Sequence, residues 1–321
     1  MKAPLFLGSV YKNYIWGGEN LKKDFNKHTD VTPLAESWEL CAHRDGTNII
    51  LSGDFAGRTL GEYLRADPAA ISGESDGTGE LPLLIKYIDA REPLSVQVHP
   101  DDAYARRIEG ENGKTEMWYV LDCEKGASLV YGFNRTVTKH EFEVSIKNGT
   151  LETLLRRVPV KRGDVFFIKS TTLHAIGAGI LIAEIQQCSN STYRVYDYGR
   201  VDADGRGREL HIRKALDITR LEPSDGGINP RAGMITRRDG CVETSLVRCD
   251  YFDVRRLDIC GKSEVALAEH SFTHLMAVEG EGELEMEGNR YSLVKGDSIF
   301  IPAQSGVCWF RGRCALIAST L

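Results

Sequence analysis

The chain has 321 residues, 42% of them hydrophobic and 27% charged, an ordinary globular composition with enough length for about two domains at roughly 150 residues each. Its formal net charge of -6 argues against a protein built for nucleic acid or an anionic membrane, because both reward a basic surface. An anionic small molecule remains compatible with that charge, since a few local Lys and Arg side chains suffice to hold a phosphate.

The opening segment "MKAPLFLGSVYKNYIWGG" has one Lys and a short apolar run but no long apolar stretch ending in small residues. No segment reaches the ~20 apolar residues of a membrane span. The eight cysteines are scattered, with no CxxC spacing to suggest a zinc knuckle or a redox pair. Buried reduced thiols and a cytoplasmic location are therefore the expectation.

In chain order, "ADPAAISGESDGTGELP" from Ala66 lacks periodicity and reads as an irregular connection. The segment "PLSVQVHPDDAYARR" alternates, so Ser95, Gln97 and His99 share one face of a strand while Val96 and Val98 take the other. Glu116 opens the hydrophobic strand "EMWYVLDC", and "ASLVYGF" and "DVFFIKS" follow as further strands. Between them, Thr138 and Glu141 read as a capping box that opens a helix, and "TLETLLRRV" reads as a second helix ending at Pro159. Then come "ILIAEIQQCS", "TSLVRCDYFDVRRLDI", "THLMAVEGEGELEME" and "DSIFIPA", all rich in β-branched and aromatic residues. The Gly- and Pro-containing stretch "LEPSDGGINPRAG" from Leu221 is the expected boundary, giving units at 1–225 and 226–321.

A weak internal repeat spans that boundary. "RGDVFFIKSTTLHAIGAG" from Arg162 aligns with "KGDSIFIPAQSGVCWFRG" from Lys295, which pairs Gly163-Asp164 with Gly296-Asp297 and Ile168 with Ile301. A Gly-Asp turn before a hydrophobic run is common by itself. Repeated here, it suggests a mainly β chain of two cupin-type jelly-roll barrels with a few decorating helices. His174 stands eleven residues after Gly163, whereas the equivalent position after Gly296 is Val307, with His274 expected where the first copy has Glu116. A metal site in the first barrel would therefore have no counterpart in the second, whose interior would be packing alone.

An inward polar face costs several kcal/mol if nothing pairs with it. Gln97, His99, Glu116 and His174 together offer two imidazoles, a carboxylate and an amide oxygen, a donor set suited to Zn²⁺ with a position left open. The same set also suits Fe(II).

The order "ESWEL" at Glu36, "LLIKYIDAREPLSVQVHPDD" at Leu83, "GKTEMWYVL" at Gly113 and "LHAIGAGILIAEIQQCSNSTYRVYDYGR" at Leu173 resembles the type I phosphomannose isomerase family in its short bacterial form. Val98 stands where the family more often has Ile, and the helical insert of eukaryotic members has no space here. The resemblance implies one Zn²⁺ per chain on His99, Glu116 and His174, with Gln97 as the fourth ligand. It implies catalytic roles for Arg194, Lys114 and Glu184, and substrate contacts from Trp16, Lys86 and Ser95. The implied partner is a small sugar phosphate, mannose 6-phosphate interconverting with fructose 6-phosphate through an enediol, on a chain that is a monomer or homodimer. Two other readings stay open at this point. A cupin dioxygenase or epimerase would be separated by metal analysis and oxygen consumption, and a non-catalytic sugar-phosphate-binding regulatory cupin by a turnover assay.

Overall fold

The computed structural model describes residues 2–75, 77–201, 204–227 and 233–321. As expected from the strand signals, the architecture is mainly β with a few short helices. A central six-stranded antiparallel sheet runs in the order Val165–Ile168, Glu116–Cys123, Ile180–Gln187, Leu83–Ala90, Glu36–Leu40, Val10–Lys12. A five-stranded sheet covers one of its faces, in the order Leu155–Pro159, Ser128–Phe133, His174–Ala175, Val96–Val98, Tyr193–Tyr196. A nine-stranded sheet covers the other, with Thr273–Met286 paired to Val307–Thr320 and Ser298–Ile301. Its edge is extended by Leu5–Gly8, which pairs with Ser298–Ile301, so the first strand of the chain joins the sheet formed by the last. These pairing paths are open among the described residues.

The period-2 alternation of the central strands sorts their side chains between two cores. Ile85, Tyr87, Met117, Tyr119, Ala183 and Ile185 pack against Val254, Met276, Phe300 and Ile317 of the nine-stranded sheet. Ile88, Trp118, Val120 and Ile182 face Leu129, Tyr131 and Ile176 of the five-stranded sheet. Being covered on both faces, Leu83–Ala90 and Ile180–Gln187 are buried along their whole length. The same parity puts Lys86, Glu116 and Glu184 on the face toward the five-stranded sheet.

The repeat is matched bond for bond. The Asp164 carboxylate accepts from the Lys161 amide at 2.9 Å, and the Asp297 carboxylate accepts from the Val294 amide at 2.8 Å. Gly163 and Gly296 both take positive φ, 89° and 99°, the left-handed region that glycine enters without a Cβ penalty. A side chain at Gly296 would also meet the Phe25 carbonyl oxygen at 2.0 Å. Register then corrects one equivalence: Ile168 pairs with Glu116 and Ile301 pairs with Thr273, so Thr273, not His274, occupies the Glu116 position. His274 lies one residue on and therefore faces the opposite way, toward Ser298 and the Glu39 backbone. Val307 is 49% exposed, and its neighbour Cys308 takes the buried position, so Val307 is not an interior residue of the second unit.

The helix expectations hold in part. Thr138 caps Lys139–Lys147 by accepting from the Glu141 amide, but the Glu141 carboxylate turns to Arg135, so the box is one-sided. A reciprocal box stands at Thr59 and Glu62, opening the helix Leu60–Ala66. In "TLETLLRRV" a single helical turn, Leu151–Leu154, gives way to the strand Leu155–Pro159. The segment beside Ser128–Phe133 gains ladder hydrogen bonds that a helix would forgo, and the proline disfavours helical backbone just before it. Inside the stretch from Ala66, Ala69–Ser72 forms a short helix because Ala70 and Ile71 are buried and their carbonyls accept from Ala303 and Phe272. Of the boundary segment beginning at Leu221, residues 228–232 lie outside the described residues.

Candidate metal centre and substrate cleft

Two rows of side chains face one another across the gap between the central and five-stranded sheets. On the central sheet, register aligns Trp118, Glu184, Lys86 and Trp38 on successive strands, with Glu116 beside Gln186. On the facing sheet it aligns His174, Gln97 and Arg194. Strand pairing thus brings together residues that lie far apart in the chain, and a cleft of about 260 Å³ opens between the rows.

At its floor, ligand atoms from His99, Glu116 and His174 lie within 4.8 Å of one another, all three residues fully buried. Glu116 Oε1 is 3.3 Å from His174 Nε2, and Glu116 Oε2 is 3.6 Å from His99 Nε2. Each imidazole is oriented from behind: His99 Nδ1 lies 2.9 Å from the Ser191 carbonyl and His174 Nδ1 lies 2.8 Å from the Thr172 carbonyl. A carbonyl accepts only, so both Nδ1 atoms carry the proton and both Nε2 lone pairs point into the cleft. Burial keeps the rings neutral, pushing His174 down to about 4 and His99 well below the ordinary histidine range. Burial, with Glu184 adding to it, pushes Glu116 up to about 7 against the pull of Lys114. His99 Nε2 and Glu116 Oε1 have no hydrogen-bond partner, and Glu116 Oε2 has only the Lys114 ammonium beside it at 3.0 Å. Orphaned buried acceptors are rare in folded proteins, and a divalent cation among these atoms would satisfy them, so the residues present fit a metal. Gln97, half-buried, lies with Nε2 at 3.5 Å from His174 Nε2 and Oε1 at 3.4 Å from Ser95 Oγ. Its amide would have to turn for the oxygen, rather than Nε2, to face the triad.

Above the triad, Lys114 Nζ is 3.0 Å from Glu116 Oε2 and 3.9 Å from Glu184 Oε1. Lys86 Nζ lies 3.1 Å from Glu184 Oε1 and 3.6 Å from Glu36 Oε2. Burial opposes the charge on Lys86, but Glu184 and Glu36 outweigh it and raise its proton affinity above the ordinary lysine value. Burial likewise opposes the Glu184 carboxylate, and Lys86 and Lys114 outweigh it, so Glu184 is held ionised. Trp118 Nε1 donates to Glu184 Oε2 at 2.8 Å, and Trp38 Nε1 donates to Glu36 Oε2 at 2.7 Å, fixing both carboxylates. Two lysines among three glutamates leave the floor one negative charge in excess, which a divalent ion would reverse to one positive.

Ser95, Trp16 and Arg194 line the walls; Trp16 stacks on Tyr14 at 5.4 Å, and Arg194 Nε donates to Ser95 Oγ at 3.3 Å. Every candidate taken from the sequence therefore lies at this cleft. Sequence reasoning missed Glu36, Trp118, Tyr14 and Arg208. The first two lie on strands whose alternation was legible, but their partners come from neighbouring strands. Arg208 carries no local signal.

Residues 5–130 match the family model "Phosphomannose isomerase type I, catalytic domain", and residues 242–321 match "Mannose-6-phosphate isomerase, cupin domain". Mannose-6-phosphate isomerase ManA of Bacillus subtilis is 39% identical over 319 residues, covering 99% of each chain. Mannose-6-phosphate isomerase of Streptococcus mutans is 38% identical over 321 residues, covering 99% of this chain and 98% of that one. The crystal structure of mannose 6-phosphate isomerase from Bacillus subtilis superposes with a TM-score of 0.93 at 38% identity, covering all of both chains. With likeness of this extent from end to end in both sequence and fold, the chain belongs to the type I mannose-6-phosphate isomerases.

Proposed function

We propose that the chain interconverts mannose 6-phosphate and fructose 6-phosphate by moving a proton between C1 and C2 through an enediol, with one Zn²⁺ held by His99, Glu116 and His174, and by Gln97 once its amide turns. The observation that carries this reading is the convergence of unpartnered His99 Nε2 and Glu116 Oε1 beside two buried lysines and Glu184. When bound, the ion acts as a Lewis acid that stabilises negative charge on the sugar oxygens. Arg194, on the opposite wall, adds a fixed cation for the same developing charge. Lys114 and Glu184, 3.9 Å apart, are the groups able to carry the proton, and Lys86 keeps Glu184 ionised for that task. Trp16 closes the cleft wall against water, and Ser95 anchors Arg194.

The division at residue 225 goes with this reading: 1–225 supplies the chemistry, while in the second unit Thr273 stands where the first has Glu116, and Cys308, not Val307, takes the buried position near the one His174 has in the repeat. The test is turnover of mannose 6-phosphate in ²H₂O, with the product's C1 or C2 position read by NMR. Label entering that carbon supports proton transfer through exchangeable groups. Full retention of substrate hydrogen together with no effect of Lys114→Met and Glu184→Gln would remove the proposed base pair.

A further inference from the structure

The cleft's charges divide unevenly between floor and mouth. Lysines and glutamates nearly balance at the floor, whereas Arg194 and Arg208 line the mouth, with Arg200 close by; among the described residues Asp197 is the carboxylate that pairs with Arg200 and Arg208, and Glu209 acts on Arg194 more weakly. Asp197 is 6% exposed. Arg200 spends its guanidinium on the fold: Nη1 donates to the Pro93 carbonyl at 2.6 Å, Nε to the Asp197 carbonyl at 3.2 Å, and Nη2 to the Asp197 carboxylate. Arg208 is held differently. Its Nε and Nη2 grip the Asp197 carboxylate side-on, Nε at 2.8 Å, and its Nη1 has no hydrogen-bond partner among the described residues. Arg194 donates from Nε to Ser95 and from Nη1 to the Glu209 carbonyl at 2.9 Å, and its Nη2 is likewise without a partner among the described residues.

Two carboxylates, Asp197 and Glu209, against three guanidiniums leave surplus positive charge among the described residues. Burial, and then the charge on Arg208, lowers the proton affinity of Arg194, which marks the two side chains as close neighbours. A guanidinium fixed by a buried carboxylate, facing a second guanidinium, each with an N–H group unpaired among the described residues, is the arrangement a bidentate anion completes. Gln97 meets His174 at the triad, whereas Ser95, two residues or about 7 Å along the strand, meets Arg194, and Arg208 lines the same cleft.

We propose that Arg208, held side-on by Asp197, binds the phosphate at C6 of the sugar phosphate from the mouth of the cleft, and that Asp197 is its positioning residue. This rests on the sugar-phosphate reading above. The site thereby selects substrates that carry a terminal dianion and lets neutral hexoses pass.

Kinetics with mannose 6-phosphate and calorimetric titration with inorganic phosphate test the assignment on Arg208→Gln, Arg208→Lys and Asp197→Asn, each with metal content measured. Arg208→Gln is expected to raise KM about 10- to 100-fold, the loss of one charge-assisted contact, with kcat within a few-fold of wild type. Inorganic phosphate binding should weaken by a similar factor, and Arg208→Lys should recover part of both. Asp197→Asn should raise KM less and add little in the Arg208→Gln background, because it acts through that side chain. Wild-type KM and phosphate affinity in Arg208→Gln would overturn the proposal, as would a fall in kcat at unchanged KM. A wild-type protein that fails to turn over mannose 6-phosphate would instead remove the sugar-phosphate reading. In that case, loss of phosphate binding in Arg208→Gln would still identify the anion site.

Discussion

Removing the metal is expected to lower thermal stability by an amount set by the orphaned atoms at the floor of the cleft. Two buried acceptors, His99 Nε2 and Glu116 Oε1, lack hydrogen-bond partners, while Glu116 Oε2 is already met by Lys114 at 3.0 Å. At about 1–3 kcal/mol for each unsatisfied buried group, roughly 2–6 kcal/mol is available to an ion that satisfies them. Linkage gives a consistent scale, since free metal at about 1,000 times Kd stabilises the folded state by ~4 kcal/mol. At roughly 2 °C per kcal/mol for a chain of this size, the metal-loaded protein should melt about 8 °C above the chelated one. His174→Ala deletes one of the proposed ligands and leaves a void against Trp118, whose ring centroid lies 5.5 Å from that of His174. It should abolish the metal-dependent shift and lower the melting temperature of the chelated form by a few degrees. Differential scanning calorimetry with and without chelator, and elemental analysis of the dialysed protein, measure both. A His174→Ala protein that keeps one ion per chain and the full shift would refute this assignment of the triad.

Arg194→Ala is expected to lower kcat by about 10²-fold or more, the scale for losing one stabiliser of developing charge; a rise in KM alone would reassign Arg194 to ground-state binding. In the second unit, Val307→Asp should melt within about 0.5 kcal/mol of wild type because Val307 is 49% exposed, whereas Ile301→Asp, at a fully buried position, should destabilise by several kcal/mol. Neither should change the metal content, and loss of metal from either would place a ligand outside the first unit. Burial pushes His274 down to about 3 from its ordinary 6.5, with Lys27 acting in the same direction and the Glu39 backbone opposing. Its folded pKa is depressed, so its stabilising contribution is complete above pH 6.5 and is lost as the pH falls toward 3, with a slope of at most ~1.4 kcal/mol per pH unit. Against wild type, His274→Gln should flatten the fall of melting temperature over that acid range, and parallel curves would argue against a buried neutral imidazole.

Much of the site could be read from the sequence because alternation along a strand is a local property. Ser95, Gln97 and His99 fall on one face of a single strand whatever surrounds it, and Val96 and Val98 go to a core on the other face. The Gly-Asp turns were legible for the same reason, since each is closed by its own aspartate on an amide three residues back. Glu116 at a strand start and His174 in the repeat completed the candidate donor set, and the family resemblance implied their roles. Tertiary structure alone decided what depends on pairing between distant segments. Only register sets Thr273 rather than His274 opposite Ile301, and a one-residue error there reverses the face. Only pairing with Ser128–Phe133 turns the end of a helical pattern into a strand. The clamping of Lys86 between Glu184 and Glu36, and of Arg208 by Asp197, has no trace in local pattern. Short-range sterics and hydrophobic periodicity write element type and face into neighbouring residues, whereas a charge's partner is whichever strand or loop the closed fold brings beside it.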